Sequence, residues 1–228
     1  MERHFDEELK QLNYDLLQMA AMTEEAIYRS IEALKMRDSK IAQGVIDNDQ
    51  KIDEMELKIE ESAIDLLALR QPMAIDLRFI TTGMKMTSEL ERIADLAVNI
   101  CQRVLVLADH PFVKPLIDIP KLADVARRMV KGAIDAFVNR DHNLAKEVIL
   151  SDKEANNLRN MVQDELTNLL VKDGTIASWV IPFILIARHL ERICDHATNM
   201  AEDIIYMIQA RVVKHHLEEL MDNQSSSG

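Results

Sequence analysis

Apolar residues recur every three or four positions from Phe5 to about Met36, through Leu9, Leu12, Leu16, Met19, Met22, Ile27 and Ile31. That spacing puts them on one side of an α-helix and predicts one long amphipathic helix. Asp38-Ser39 offers an N-cap for a second helix, Ser39 to Leu69, carrying Ile41, Val45, Ile52, Met55, Ile59, Ala63 and Leu66. Pro72 interrupts the pattern, and a third helix runs from about Met73 to Ala108 through Ile80, Met84, Leu90, Ala94, Ala97 and Cys101. Pro111, Pro115 and Pro120 then crowd a single stretch, which places the one clear break between His110 and Pro120.

After the break the pattern returns. Ile31, Ala33, Arg37-Asp38, Ile41-Ala42, Val45-Ile46 and Asp49 recur as Ile134, Ala136, Arg140-Asp141, Leu144-Ala145, Val148-Ile149 and Asp152, an offset of 141 − 38 = 103. Further on, Leu90-Glu91-Arg92-Ile93-Ala94-Asp95 and Asn99 return as Leu190-Glu191-Arg192-Ile193-Cys194-Asp195 and Asn199, an offset of 191 − 91 = 100. Three residues are therefore missing from the second copy, near Asp173-Gly174. The remaining helices are expected at Lys121–Asn139, Asp141–Val171 and Ile176–Asp222. The reading is an all-α chain of six long helices in two tandem three-helix bundles, residues 1–110 and 118–222, with a disordered tail over 223–228. Composition agrees: the 228 residues hold only five glycines, five prolines and 4% aromatics. A strand-rich fold would need more turn residues and more β-branched or aromatic runs.

The repeated doublet is also where chemistry is expected. With Glu91 at the origin of a helical wheel, Asp95 and Asn99 follow at about 40° and about 80°, while Leu90, Ala94, Ala97, Cys101 and Val104 gather near about −100° on the core side. Two carboxylates one turn apart repel by roughly 0.2–0.5 kcal/mol, so the arrangement asks for a compensating charge. The second helix supplies a companion stripe of Asp49, Asp53, Glu56 and Glu60. If the two helices are neighbours, two acidic ridges converge. Such oxygen ligands suit Mg²⁺, Mn²⁺, Ca²⁺ or bridged iron. A solvated acidic face is the competing reading for any one stripe, and the in-register duplication favours metal.

The second copy is poorer in acid. Asp152, Asn156, Arg159 and Gln163 stand where the first copy has Asp49, Asp53, Glu56 and Glu60, so two sites, if present, are unequal. Arg92 and Arg192 are read as partners of nearby carboxylates, with anion binding the alternative. His189 and His196 share a face well away from Glu191 and Asp195 and are read as surface residues. His215-His216 reads as an exposed helix end. No histidine has Glu three residues before it, as a ferritin-like di-iron bundle requires. No phosphate loop, zinc-finger spacing or nucleophile–base motif appears, and nothing requires an enzyme. The net charge of −12 argues against nucleic acid. Cys101 and Cys194 form no disulfide framework, and the start lacks an apolar signal core, so a cytoplasmic protein is expected.

The segments LERIADLAVNI and LERICDHATNM, with DNDQKIDEME upstream and the whole-chain duplication, resemble the PhoU family of phosphate-transport regulators. The resemblance spans Phe5 to about Met207. It implies a cytoplasmic homodimer that restrains phosphate uptake and the phosphate-starvation response, linking the ATPase of a phosphate ABC transporter to a sensor histidine kinase. Contact with the membrane would come only through these partners. It also implies metal at Glu91/Asp95, Glu191/Asp195 and Asp49/Asp53, iron first, with zinc, manganese or magnesium as other candidates. Asp152 followed by Asn156 departs from the family motif and weakens the second site. The alternative is a carboxylate metal-cluster protein for iron storage or redox chemistry, with no signalling partner.

Overall fold

The computed structural model describes residues 2–108 and 118–210. Among the described residues six helices follow one another: α1 (Glu2–Met36), α2 (Ser39–Arg70), α3 (Ala74–Leu107), α4 (Asp118–Asn139), α5 (His142–Lys172) and α6 (Ala177–Gln209). One 3-10 turn, Gly174–Ile176, precedes α6. Among the described residues there is no strand, and no helix is long and apolar enough to cross a membrane. Helices α1 to α3 pack as one bundle and α4 to α6 as its repeat. The two bundles join mainly through α3 against α6, with a smaller contact of α1 on α4.

The first corner of each repeat is the same device. Arg37 and Arg140 take left-handed backbone at φ 52° and 51°. The next amide then reaches back, Asp38 N–H to the Ala33 carbonyl at 3.1 Å and Asp141 N–H to the Ala136 carbonyl at 2.9 Å. That satisfies a helix-end carbonyl as a Schellman motif does. The same aspartate caps the following helix: Asp38 Oδ1 accepts from Lys40 and Ile41 N–H at 2.8 and 3.2 Å, Asp141 Oδ1 from Asn143 and Leu144 N–H at 2.9 and 3.2 Å. One residue thus ends one helix and begins the next.

The second corners differ. Gln71-Pro72-Met73 separates α2 from α3, with Gln71 left-handed at φ 47°. In the repeat that linker is gone, and Asp173 turns the chain by capping Thr175 N–H at 2.9 Å into the 3-10 turn. The missing three residues lie at this corner.

The expected core face is buried throughout: Leu90, Ala94, Ala97, Cys101 and Val104 are all enclosed. Helices α3 and α6 bury more than one stripe, because α3 also covers α6: Thr82, Met86, Leu96 and Ile100 are enclosed as well. Burial pushes the Cys101 thiol up to about 12 and raises Cys194 too, which keeps both unreactive. Two boundaries move. The fourth helix begins at Asp118, not Lys121, so Pro120 sits in its first turn, where its missing N–H has no helical partner to lose. The sixth ends at Gln209 with Ala210 left-handed; the expected continuation to Asp222, His215-His216, the tail, Pro111 and Pro115 lie outside the described residues.

Two glycines test this packing. A Cβ on Gly132 would stand 2.9 Å from Val148 Cγ2, a stiff and buried side chain where α4 meets α5. Overpacking of that kind costs about 1–3 kcal/mol, against a helix-propensity gain of about 1 kcal/mol. A Cβ on Gly44 would meet nothing within 4 Å. Denaturant melts are therefore expected to show Gly132→Ala lowering the unfolding midpoint and Gly44→Ala raising stability by about 0.5–1 kcal/mol.

Candidate functional site

Helices α2 and α3 are neighbours, and their acidic ridges converge. Asp49, Glu56, Glu60 and Glu91 are half-buried, whereas Asp53 and Asp95 are exposed. The carboxyls act on one another across the helix pair. Partial burial, then the charges of Asp53 and Asp95, push Asp49 up to about 6. Burial, then Asp95, Glu56 and Asp53, push Glu91 up to about 7, with Arg92 opposing. Glu56 and Asp95 are raised for the same reasons: burial first, then Glu60 and Asp53 for Glu56, and Asp53 for Asp95. Partial burial first, and crowded negative charge without enough counter-charge second, both favour the protonated form of a carboxyl.

In the repeat, Asp152, Glu191 and Asp195 also converge. Burial, then Glu191 and Asp152, push Asp195 up to about 6. Asp152 is raised by burial and Glu191, opposed by a hydrogen bond from Asn156 Nδ2 at 2.8 Å. The decisive difference is Arg159. Its Nη2 donates to Glu191 Oε1 at 3.1 Å and its Nη1 to Gln163 at 3.3 Å, so the cation lies within the ridge itself. Asp152 Oδ1 remains buried without a hydrogen-bond partner.

Every sequence-derived candidate thus falls into one of two groups: Asp49, Asp53, Glu91 and Asp95 on the first repeat, and Asp152, Glu191 and Asp195 on the second. As the side chains stand, among the described residues, no three His, Cys, Asp or Glu groups form a ready metal cage. The donor chemistry nevertheless fits a hard cation. The first ridge is all carboxylate oxygen under mutual repulsion, and the second holds an orphaned carboxylate oxygen.

Both imidazole readings change, because neither His189 nor His196 is a surface residue. His196 is 8% exposed rather than a surface residue, and its Nδ1 lies 2.6 Å from Glu89 Oε2 across the α3–α6 junction. Asn199 also reaches across the junction and donates to Glu89 at 3.4 Å. Burial alone would push the Glu89 carboxyl up; His196, Asn199 and Arg92 outweigh it and hold it below the usual range. Lys85 Nζ binds Asp203 Oδ1 at 2.9 Å nearby, and Arg78 Nε donates to the Met207 carbonyl at 3.1 Å. A wheel drawn for one repeat has no means of showing that this face meets the other repeat; Glu89, the partner, was missed for that reason. His189 is half-buried, and burial, then Arg103, Arg192 and Arg188, push its pKa down to about 4.

Comparison with known proteins follows the duplication. The family model of the PhoU domain matches twice, over residues 16–104 and 119–204. A phosphate-specific transport system accessory protein PhoU homolog of Clostridium acetobutylicum is 35% identical over 213 residues, covering 92% of this chain and 96% of that protein. The homolog of Aquifex aeolicus is 36% identical, covering 93% and 96% respectively. The crystal structure of PhoU from Pseudomonas aeruginosa superposes with a TM-score of 0.88 at 34% identity, covering 91% of this chain and all of that one. That of the phosphate transport system regulatory protein PhoU from Streptococcus pneumoniae gives 0.86 at 26% identity, covering 92% and 99%.

The raised carboxyls set a pH dependence. Each binds its proton more tightly in the folded chain than in the unfolded one, so between about pH 4 and pH 7 the folded state carries more protons. The repulsion is absent below that window, grows as pH rises through it, and is complete above it. Removing metal with a chelator and following urea melts, Glu91→Gln is expected to raise the unfolding midpoint at about pH 8 and to leave it unchanged at about pH 4.

Proposed function

The chain belongs to the PhoU family, and we propose that it is a negative regulator of phosphate uptake and of the phosphate-starvation response. In this reading it is a cytoplasmic, homodimeric adaptor that links the ATPase of a phosphate ABC transporter to a sensor histidine kinase and meets the membrane only through them. The observation that carries the reading is the match of the family domain to both repeats, with relatives described as phosphate-transport accessory proteins that align over nearly the whole chain. Deleting the protein in phosphate-replete cells is expected to raise phosphate import and switch on starvation genes. Import and kinase output unchanged from the parent strain would sink the reading.

Metal at the acidic ridges belongs to the same proposal. Asp49, Asp53, Glu91 and Asp95 would hold it on the first repeat, and Asp152, Glu191 and Asp195 on the second. Iron is the first candidate, then zinc, manganese or magnesium. Bound metal supplies positive charge that offsets carboxylate repulsion and stabilises the bundle by mass action. The chain's own contribution is to bring two helix faces together and to leave the first ridge without a cation inside it. On the second, Arg159 already occupies Glu191.

This predicts an order of affinities. Elemental analysis of protein purified without chelator is expected to show a larger loss of metal for Glu91→Ala with Asp95→Ala than for Glu191→Ala with Asp195→Ala. Arg159→Gln should raise the content of the second site. Equal losses from both double variants would refute the asymmetry.

A further inference from the structure

The α3–α6 junction has two sides, because the two helices run antiparallel and each position on one side has a counterpart at the repeat offset on the other. The two sides are chemically opposite. On one side Glu89 accepts from His196 and Asn199, and Asp203 receives Lys85. On the other side, the offset of 100 puts His189 in the place of Glu89, Arg103 in that of Asp203, Asn99 in that of Asn199, Leu96 in that of His196 and Leu185 in that of Lys85. Both carboxylates have been replaced by nitrogen donors, and no acid has been added in exchange.

The facing stretches of the two helices offer none either. No Asp or Glu occurs from Leu96 to Leu107 in α3 or from Ala177 to Leu190 in α6. Arg103, Arg188 and Arg192 all lie within electrostatic reach of the His189 imidazole. Among the described residues Arg103 and Arg188 make no ion pair, and Arg103 Nε and His189 Nδ1 are buried without a hydrogen-bond partner. Buried polar atoms in native structures are satisfied by protein, water or a bound ion, and three guanidiniums around one imidazole, of which only Arg192 also acts on a carboxylate (Asp195), are a local reversal of sign in a chain of net charge −12.

We infer that the His189 side of the junction binds a small tetrahedral oxyanion, which plays there the part that the Glu89 carboxylate plays on the other side. Arg103, Arg188 and Arg192 supply the charge and the forked N–H donors that match such an ion, and the His189 imidazole supplies one more donor. The ion spans α3 and α6, so it ties one repeat to the other. The shared chemistry is that of inorganic phosphate, sulfate and the phosphate chain of a nucleotide. The inference uses these side chains alone and does not depend on the regulatory reading.

Calorimetry on the full chain, dialysed against chelator so that no metal at the acidic ridges bridges the ion, tests it with inorganic phosphate, sulfate and ATP in turn. Phosphate is expected to bind at millimolar concentration or below, and Arg103→Gln to weaken it about tenfold. Arg188→Gln, at an exposed position, should also weaken it while leaving the melting temperature without ion unchanged, so a failure of the Arg103 variant to fold would not block the test. Arg128→Gln, a surface arginine paired with Glu154, should leave affinity unchanged and controls for loss of bulk charge. Binding of ATP without phosphate would support the site and assign it to a nucleotide. Heat from none of the three ligands, or equal losses from the Arg103, Arg188 and Arg128 variants, would overturn the inference and leave water as the partner of the two buried nitrogens.

Discussion

A three-helix repeat buries one stripe of its third helix within its own bundle and leaves a second apolar stripe uncovered. Packing α3 on α6 covers both uncovered stripes at once, and among the described residues it is the most extensive helix contact. Everything chemical in the chain is arranged around that choice. The acidic ridges lie on the flank left open after both stripes are buried, and the charged groups that remain within the junction must find partners there or go without. Glu89, His196, Asn199, Lys85 and Asp203 found them.

Much of this was legible in the chain. The period of the apolar residues placed all six helices, and the repeated Arg-Asp corner marked the same turn twice. Asp38 was readable as a cap because a short acidic side chain before an amphipathic run satisfies free helix N–H groups. The convergence of Asp49 and Asp53 with Glu91 and Asp95 followed from the wheel once α2 and α3 were neighbours. What could not be read was any contact between repeats. His196 looked like a surface residue because its direction was measured from its own bundle, and the covering helix comes from the other one. Pro120 misled for a different reason: proline breaks a helix interior but fits the first turn, and sequence spacing alone does not separate the two.

The two copies kept their backbone and changed their charges. In the first, six carboxylates crowd two helices, and partial burial together with their mutual repulsion makes Asp49, Glu56, Glu91 and Asp95 hold protons more tightly. In the second, Arg159 neutralises part of the ridge from within. The junction diverged in the opposite sense, with internal acid on the Glu89 side and only nitrogen donors on the His189 side. A duplicated fold thus carries four electrostatically distinct surfaces on two nearly equivalent frames. A helical frame held by apolar packing tolerates such exchange, because surface charge contributes little to its stability.

The corner at Asp38 has a mechanical meaning of its own. Since one residue both closes α1 and opens α2, there is no slack between the two helices. An added residue there would turn every side chain of α2 by about 100° about its axis. The acidic face would then swing away from α3 while the helix itself persisted. The corner acts as the tooth of a gear, setting the rotational phase of α2 against the bundle, and Asp141 does the same for α5. The opposite corner, between α5 and α6, lost three residues without losing the repeat because a 3-10 turn could take up the change. Length is negotiable where the chain has a turn to spare and fixed where one aspartate serves two helices.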